Sequence, residues 1–178
     1  SDVRLLTALW ELGVRGASLT WSRRNLLASG CCKASECYEI RGGLSPEGFD
    51  VVREMERLRM FVDVSHLNDD GFENIRETAI RPFMATHSNS REVAFHYRNL
   101  TDTQMQILAD QGGIAGLNGY VRLVSETAEE EYPDENGVYC LEKLCMHVEH
   151  MVEVMGPEHV GYGFDFCDSY TAAERMAE

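Results

Sequence analysis

Residues 61–91 read FVDVSHLNDDGFENIRETAIRPFMATHSNSR. The stretch contains two short apolar runs, residues 61–66 and 83–88, and each has the length and flanks of a buried strand. The first run ends on His66, and the second reaches His87 near its end. A helical pattern lies between them, so the two histidines are about one βα unit apart. Because parallel strands end at the same edge of a sheet, we expect both histidines to face one mouth, where such folds bind ligands and metals.

Strand and helix patterns alternate along the whole chain without a hairpin signal. The predicted strands are residues 15–21, 61–66, 83–88, 114–119 and 159–166. The predicted helices are residues 2–12, 45–59, a segment from 68, 101–112 and 141–155. This order favours an α/β fold with a parallel sheet and helical crossovers, built as a single domain over residues 1–178. Residues 22–43 are predicted as a surface loop, and the acidic residues 121–137 as a solvated loop or lid.

The composition excludes some partners. A net charge of −14 over 178 residues argues against nucleic acid and against anionic membranes, which both need basic residues. No apolar run approaches the roughly 18 residues of a membrane span, and residues 1–13 carry no signal-peptide pattern. The six cysteines do not have the spacing of a disulfide framework, so we expect reduced thiols in a cytoplasmic protein. Cys31, Cys32 and Cys37 give only a weak metal signal, because no second pair stands at zinc-finger spacing.

The histidines suggest metal chemistry. Imidazole is the commonest nitrogen ligand of zinc, and catalytic zinc usually has three protein ligands and an open position. A carboxylate is therefore needed, and Asp165, at the end of the last predicted strand, is the best candidate; beside a metal-bound water it could act as a general base. The alternatives remain open: a lone histidine is more often a core or exposed residue, and Asp165 could be a helix cap or a loop carboxylate.

Other motifs carry weaker signals. Arg98 follows His87 closely and could clamp a substrate carboxylate, although most arginines are solvated surface residues. His147 and His150 share one face of the long C-terminal helix, where the surrounding methionines and leucine favour a structural role. No serine has a nucleophile-elbow context, and no glycine-rich phosphate loop is present.

Several motifs together resemble one family. They are GLSPEG (43–48), VDVSHLND (62–69), ATHSN (85–89), HYRNLTD (96–102), GGIAGLNGY (112–120) and HVEHMVEVMGPEHVGYGFDF (147–166). In this order and spacing they resemble the membrane dipeptidase (renal dipeptidase) family, zinc peptidases of the amidohydrolase superfamily. The resemblance implies a TIM (β/α)8 barrel and hydrolysis of dipeptides, some with a D-residue at the C-terminal side, by two zinc ions in each complete site.

The resemblance also assigns residues. His66 and His87 match the histidine pair that binds one of the metals. Asp165 matches the aspartate that takes a proton from the nucleophilic water and passes it to the leaving amine. Arg98 matches the arginine that holds the C-terminal carboxylate of the dipeptide. Two further positions lie where the seventh barrel strand approaches the substrate, Asn118 and Tyr120.

The chain departs from the family pattern in two ways. It lacks the His-x-Asp motif of the first strand and the bridging glutamate, so the remaining zinc ligands are expected upstream of it. Secondly, Trp21 stands where many animal members have a histidine that polarises the substrate carbonyl. The resemblance therefore implies a partial barrel, approximately strands four to eight. We expect the isolated chain to be inactive. Either a complementing N-terminal half is present as a separate chain, or this chain is a truncated or clipped piece, or it associates with itself.

Two rival functions remain. One is a non-catalytic, degenerate barrel that binds a partner or a single metal. The other is an amidohydrolase that acts on a different small amide, such as a lactam or an N-acyl amino acid, with the same metal chemistry. The joint presence of His66, His87, Arg98 and Asp165 favours catalysis, since a scaffold needs none of them.

Overall fold

In the computed structural model, which describes residues 3–31, 42–127 and 141–165, helices and short strands alternate along the chain. The strands are β1 (Gly16–Ser18), β2 (Phe61–Asp63), β3 (Ala115–Leu117) and β4 (Val160–Tyr162). The helices are α1 (Arg4–Glu11), α2 (Pro46–Leu58), α3 (Asp69–Thr78), α4 (Asp102–Asp110), α5 (Val121–Val124) and α6 (Leu141–Met155). A 3₁₀ turn, Pro157–His159, leads into β4. The predicted α/β class is confirmed.

The four strands pair in parallel, and the antiparallel bridges of the described residues, Ala28 with Leu44 and Gly30 with Leu67, lie outside them. β1 pairs with β2, with Gly16 opposite Phe61, and β3 pairs with β4. Residues 83–87 form no regular strand, but they join the two pairs through parallel bridges on either side. The Val64 N–H donates to the Met84 carbonyl at 2.8 Å, and the Gly116 N–H donates to the Ala85 carbonyl at 2.7 Å. Five parallel segments thus lie in chain order, with their carboxyl ends at one edge.

The helix starts follow the signals in the sequence. The Ser45 hydroxyl accepts the Gly48 N–H at 3.0 Å, with Pro46 in the first helical position of α2. At the start of α4, Thr101 and Gln104 form the predicted capping box. Such caps satisfy N–H groups that have no partner within the helix, and each stabilises its helix by about 1 kcal/mol. The helices therefore begin where they can flank the strands.

The core lies between the strands and the helices that cover them. Phe83 is 1% exposed and meets Phe72 of α3 edge to face, with the ring centroids 5.6 Å apart. Helices α2, α3, α4 and α6 and strand β3 supply the other large apolar side chains that are fully buried: Met55, Ile75, Met105, Leu108, Leu117 and Met151. Residues 83–87 therefore pass through the middle of the core. Among the described residues, no helix is both long and apolar enough to cross a lipid bilayer.

The prediction of a solvated loop over residues 121–137 is wrong at its beginning. Val121–Val124 forms the short helix α5, and Leu123 and Val124 are buried. The Asn99 side-chain amide donates to the Leu123 carbonyl at 2.8 Å, and this hydrogen bond holds α5 beside Asn99. Burial of each of these two apolar side chains stabilises the folded protein by about 1.5–3 kcal/mol. This free energy favours a packed helix here, although acidic residues follow it. Residues 128–140, and residues 32–41 of the predicted loop 22–43, lie outside the described residues.

The core position of Phe83 gives a stability test. We expect Phe83→Ala to lower the free energy of unfolding by about 3–5 kcal/mol, because it opens a cavity between α3 and the sheet. The matched control is Ile80→Ala, at a side chain that is 84% exposed, which should change stability by less than about 0.5 kcal/mol. Urea unfolding followed by circular dichroism measures both. Equal effects of the two variants would contradict the described core.

Candidate active site

The two strand-end histidines meet at the carboxyl edge of the sheet. His66 follows β2 and His87 follows the bridge residues at 84–85. Their Nε2 atoms lie 2.8 Å apart, and their ring centroids are separated by 4.8 Å. The structure therefore brings together the two residues that the sequence placed at one mouth. The Trp21 ring stands beside them, with its centroid 6.1 Å from that of His66.

Arg98 lies against the histidine pair and is only 9% exposed. Its Nη2 is 3.3 Å from the Nε2 of His66 and 3.4 Å from the His87 carbonyl oxygen. Its Nη1 lies 3.5 Å from the Ser88 hydroxyl. The sequence left open a solvated surface arginine, but the structure places this guanidinium in the same buried corner as the imidazoles.

Both histidines are held neutral. Burial and, after it, the positive charge of Arg98 together lower the pKa of His66 to about 3. Burial and Arg98 also lower the pKa of His87, although the carboxylates of Asp63 and Asp165 act in the opposite direction. A metal ligand must be a neutral imidazole with a free lone pair. The site therefore keeps both rings in the protonation state that ligation requires.

The donor set fits half of a metal site. Two imidazole Nε2 atoms converge on one point, and the Nδ1 of His66 is buried without a hydrogen-bond partner among the described residues. Within the described residues no group of three or more His, Cys, Asp or Glu side chains gathers around a metal position. The two histidines would hold a cation only with further ligands from elsewhere.

Asp165 lies beyond the end of β4, where it is exposed and has a positive φ of 59°. Its carboxylate is close enough to act electrostatically on the pair: it opposes the lowering of the pKa of both His87 and Arg98 by burial. The structure thus places this carboxylate within electrostatic reach of the site.

Asn118 and Tyr120 follow β3 at the same edge. Asn118 is 1% exposed, and its side-chain amide donates to the His87 carbonyl at 3.4 Å. Its side-chain oxygen accepts the Tyr120 N–H at 2.6 Å. Tyr120 is 41% exposed and precedes α5. Asn118 therefore contacts the backbone of a candidate ligand, while Tyr120 borders the mouth.

Sequence reasoning missed a buried carboxylate beneath the histidines. Asp63, at the end of β2, is 6% exposed and accepts hydrogen bonds from Ser18, Ser65 and Thr86. Thr86 in turn contacts the Nδ1 of His87 at 2.6 Å. The available signal was a charged residue inside the apolar run FVDV, since a buried charge requires partners.

The other conspicuous histidines have structural partners, as the sequence favoured. His147 is fully buried; its Nδ1 accepts the Ser90 N–H at 3.2 Å and its Nε2 contacts the Val124 carbonyl at 3.0 Å. His150 contacts Asp102 at 2.7 Å and ties α6 to α4. Both residues therefore link α6 to neighbouring parts of the chain.

The described cysteines are reduced. Cys31 and Cys145 are free thiols, and the other four lie outside the described residues. Burial raises the pKa of the Cys31 thiol to about 11, and its sulfur donates to the Leu67 carbonyl at 2.7 Å. A protonated, buried thiol is a poor metal ligand, so this part of the weak cysteine signal has no support.

The class of protein follows from a solved structure with the same fold. A metallopeptidase from Rhodobacter sphaeroides, solved with a phosphinate mimic of the dipeptide L-Ala-D-Ala, superposes with a TM-score of 0.81 and 28% sequence identity. The match covers 99% of this chain and 53% of that one. The metallopeptidases are thus the class that this fold resembles. The chain belongs to the membrane dipeptidase family, peptidase family M19, whose pattern it matches over residues 1–176.

Curated relatives agree with this membership. An uncharacterised protein in the pqqA 5′ region of Klebsiella pneumoniae is 30% identical over 177 residues, which are 98% of this chain and 63% of that protein. Dipeptidase verJ of Clonostachys rogersoniana is 32% identical over 158 residues, 89% of this chain and 37% of that protein. The chain therefore spans well under two thirds of the length of most relatives that it matches.

The buried His147 predicts a pH-dependent stability. Burial lowers its pKa in the folded protein, whereas an unfolded histidine has a pKa of about 6.5. The unfolded chain thus binds a proton first as the pH falls. The stabilisation by His147 is complete above about pH 6.5 and is lost below it, by at most about 1.4 kcal/mol per pH unit.

A difference measurement isolates this effect. We expect the stability deficit of His147→Gln to be largest near about pH 7.5 and to shrink towards about pH 5, when urea unfolding is measured at both. Phe83→Ala removes no titrating group and should show the same deficit at both pH values. A deficit of His147→Gln that did not change with pH would show that the imidazole is not held neutral.

Proposed function

We propose that the protein is a metal-dependent dipeptidase, which hydrolyses dipeptides with a free C-terminal carboxylate. One observation carries the proposal: two neutral imidazoles direct their Nε2 atoms to one point, 2.8 Å apart, beside the buried guanidinium of Arg98. The family membership supports it. So do the relative named as a dipeptidase and the Rhodobacter structure with its mimic of L-Ala-D-Ala.

In this proposal the chain forms the C-terminal part of a (β/α)8 barrel, approximately strands four to eight. The support is the sequential, parallel order of the five segments and the coverage of 53% of the Rhodobacter chain. β1 then pairs with a strand that this chain does not contain. That strand comes from the rest of the same polypeptide, from a complementing chain or from a second copy.

His66 and His87 would hold one zinc ion, and the ligands of the second ion and the bridging glutamate would lie outside this chain. A metal held by these residues would supply an acidified water and would polarise the scissile carbonyl. The residues of this chain prepare the position: they keep both imidazoles neutral and orient both Nε2 atoms towards it. We propose the cytoplasm as the compartment, because the described cysteines Cys31 and Cys145 are free thiols.

Arg98 would bind the C-terminal carboxylate of the substrate. A guanidinium can form two parallel hydrogen bonds to a carboxylate, and a buried position strengthens them because little water competes. Asn118 fixes the His87 carbonyl at 3.4 Å, and the exposed part of Tyr120 borders the path of the substrate. We assign these two residues to substrate binding.

Asp165 would move the proton. The residue is exposed and its carboxylate acts electrostatically on His87 and Arg98, which supports this role. As a general base it takes the proton of the attacking water, and as a general acid it returns that proton to the leaving amine.

The first test is activity. Full-length protein supplied with zinc should hydrolyse a panel that includes L-Ala-L-Ala and L-Ala-D-Ala, with amine release as the readout. We expect His66→Ala to abolish turnover, because the metal loses one of two ligands from this chain. Asp165→Asn should lower kcat by about 10²–10⁴-fold, the usual contribution of a general acid–base residue.

The control is Arg53→Met, an exposed position on α2, which should leave turnover unchanged. Full activity of His66→Ala and Asp165→Asn would overturn the proposed mechanism. Zinc binding without turnover of any small amide would instead favour the binding module. Turnover of N-acyl amino acids or lactams, but not of dipeptides, would favour the other amidohydrolase activity.

The second test concerns Arg98. We expect Arg98→Met to lower kcat/KM for dipeptides by about 10²-fold or more, since a hydrogen bond to a charged group contributes about 1.5–3 kcal/mol and two are lost. Arg98→Lys should recover part of this loss. For dipeptide amides, which have no carboxylate, wild type and Arg98→Met should react at similarly low rates. An equal loss on both substrates would assign Arg98 to the metal centre instead.

A further inference from the structure

Asp63 is a buried carboxylate that the proposed mechanism does not use. It accepts four hydrogen bonds from three different segments of the sheet. Oδ1 receives the backbone N–H groups of Ser65 and Thr86, each at 3.0 Å. Oδ2 receives the hydroxyl groups of Ser18 at 2.7 Å and Thr86 at 2.6 Å. Every one of these groups can donate to a carboxylate, so both oxygens act as acceptors.

The charge state of Asp63 agrees with this geometry. Burial alone raises the pKa of a carboxyl group, but the hydrogen bonds from Ser18, Thr86 and Ser65 outweigh it and hold the pKa of Asp63 below its ordinary value. An ionised carboxylate can only accept. The single proton of the Thr86 hydroxyl is therefore committed to Asp63.

This commitment decides what Thr86 does on its other side. Its Oγ1 lies 2.6 Å from the Nδ1 of His87. Since the hydroxyl has already donated its proton, it must accept here, and Nδ1 must carry the hydrogen. The neutral ring has only one N–H, so the lone pair of His87 is at Nε2. That atom faces the Nε2 of His66 and the mouth.

The chain Asp63–Thr86–His87 forms a hydrogen-bond relay, and the backbone around this relay is fixed as well. The Ser65 hydroxyl accepts the His87 N–H at 3.0 Å. Gly116 and Gly163 approach the Thr86 carbonyl so closely that a side chain at either position would collide with it. Thr86 therefore has little freedom to turn away from Asp63 or from His87.

We propose that Asp63 is a positioning residue that acts through Thr86 to hold His87 in the Nδ1–H tautomer, so that Nε2 is free to bind a cation. The inference rests on the proposed metal site, and it assigns to Asp63 and Thr86 a role in metal affinity rather than in substrate chemistry. Partners of this kind typically change metal affinity by about 10–100-fold.

Asp63→Asn gives the sharpest test. The two backbone N–H groups keep the amide oxygen at the position of Oδ1, so the NH₂ group takes the position of Oδ2 and donates to Thr86. The hydroxyl must then donate to the Nδ1 of His87, and the ring moves its proton to Nε2, where it blocks the cation. Thr86→Val removes the relay without reversing it, and Thr86→Ser keeps it.

The readouts are the ¹⁵N shifts of the His87 ring in metal-free, full-length protein and the Kd for Zn²⁺ measured with a competing chelator. We expect Asp63→Asn to shift His87 to the Nε2–H tautomer, and both Asp63→Asn and Thr86→Val to weaken Zn²⁺ binding by about 10–100-fold. Thr86→Ser should leave the His87 tautomer and the Zn²⁺ affinity at their wild-type values. The control is Asp69→Asn, an exposed carboxylate that binds Arg91 and Gln104 outside the relay, which should change neither.

Wild-type Zn²⁺ affinity and unchanged His87 shifts in Thr86→Val would overturn the inference. This test does not depend on whether Asp63→Asn folds. The result is separable from the proposed function because no substrate is involved. If dipeptides are not hydrolysed but Zn²⁺ affinity depends on Thr86, the relay stands and the dipeptidase proposal fails. If dipeptides are hydrolysed and Thr86→Val binds Zn²⁺ normally, only the relay fails.

Discussion

The pairing of residues 83–87 on both sides is the constraint on which the rest of the described structure depends. On one side this segment exchanges hydrogen bonds with Val62 and Val64, and on the other with Ile114 and Gly116. In the described residues these contacts join the β1–β2 pair to the β3–β4 pair. They also place His87 beside His66, because parallel neighbours end at the same edge. One short segment therefore sets both the continuity of the sheet and the geometry of the site.

The electrostatics of the site differ from those of the chain as a whole. A net charge of −14 suggests an acidic protein, yet the atoms around the histidine pair include a buried guanidinium. Arg98 helps to keep both imidazoles neutral, and it opposes a cation at the same place. The carboxylates of Asp63 and Asp165 offset that opposition, since both act on His87 and Arg98 with the opposite sign. The corner can thus accommodate an anion and a cation side by side.

Much of this could be predicted from the sequence where the signals are local. The capping residues Ser45 and Thr101 form hydrogen bonds within their own helices. The two strand ends at His66 and His87 could be predicted from short apolar runs that end near a histidine. What depends on distant partners could not be predicted. The burial of α5 depends on Asn99, which lies far from it in sequence, and the role of Asp63 depends on Ser18 and Thr86. Because the partners of Asp63 come from three separate segments, the sequence shows only a charged residue within an apolar run.

The parallel register has a kinetic consequence. Gly16 pairs with Phe61 and Ala115 pairs with Val160, so each strand pair closes a loop of some 45 residues, the separation between Ser18 and Asp63. Contacts of such high sequence separation form late and slow the folding of a chain. The carboxylate of Asp63 has its full set of donors only when three segments have met, so partly assembled intermediates contain an uncompensated charge. The free energy of such intermediates is raised by this charge. The sheet and its histidine pair should therefore assemble together in one cooperative step.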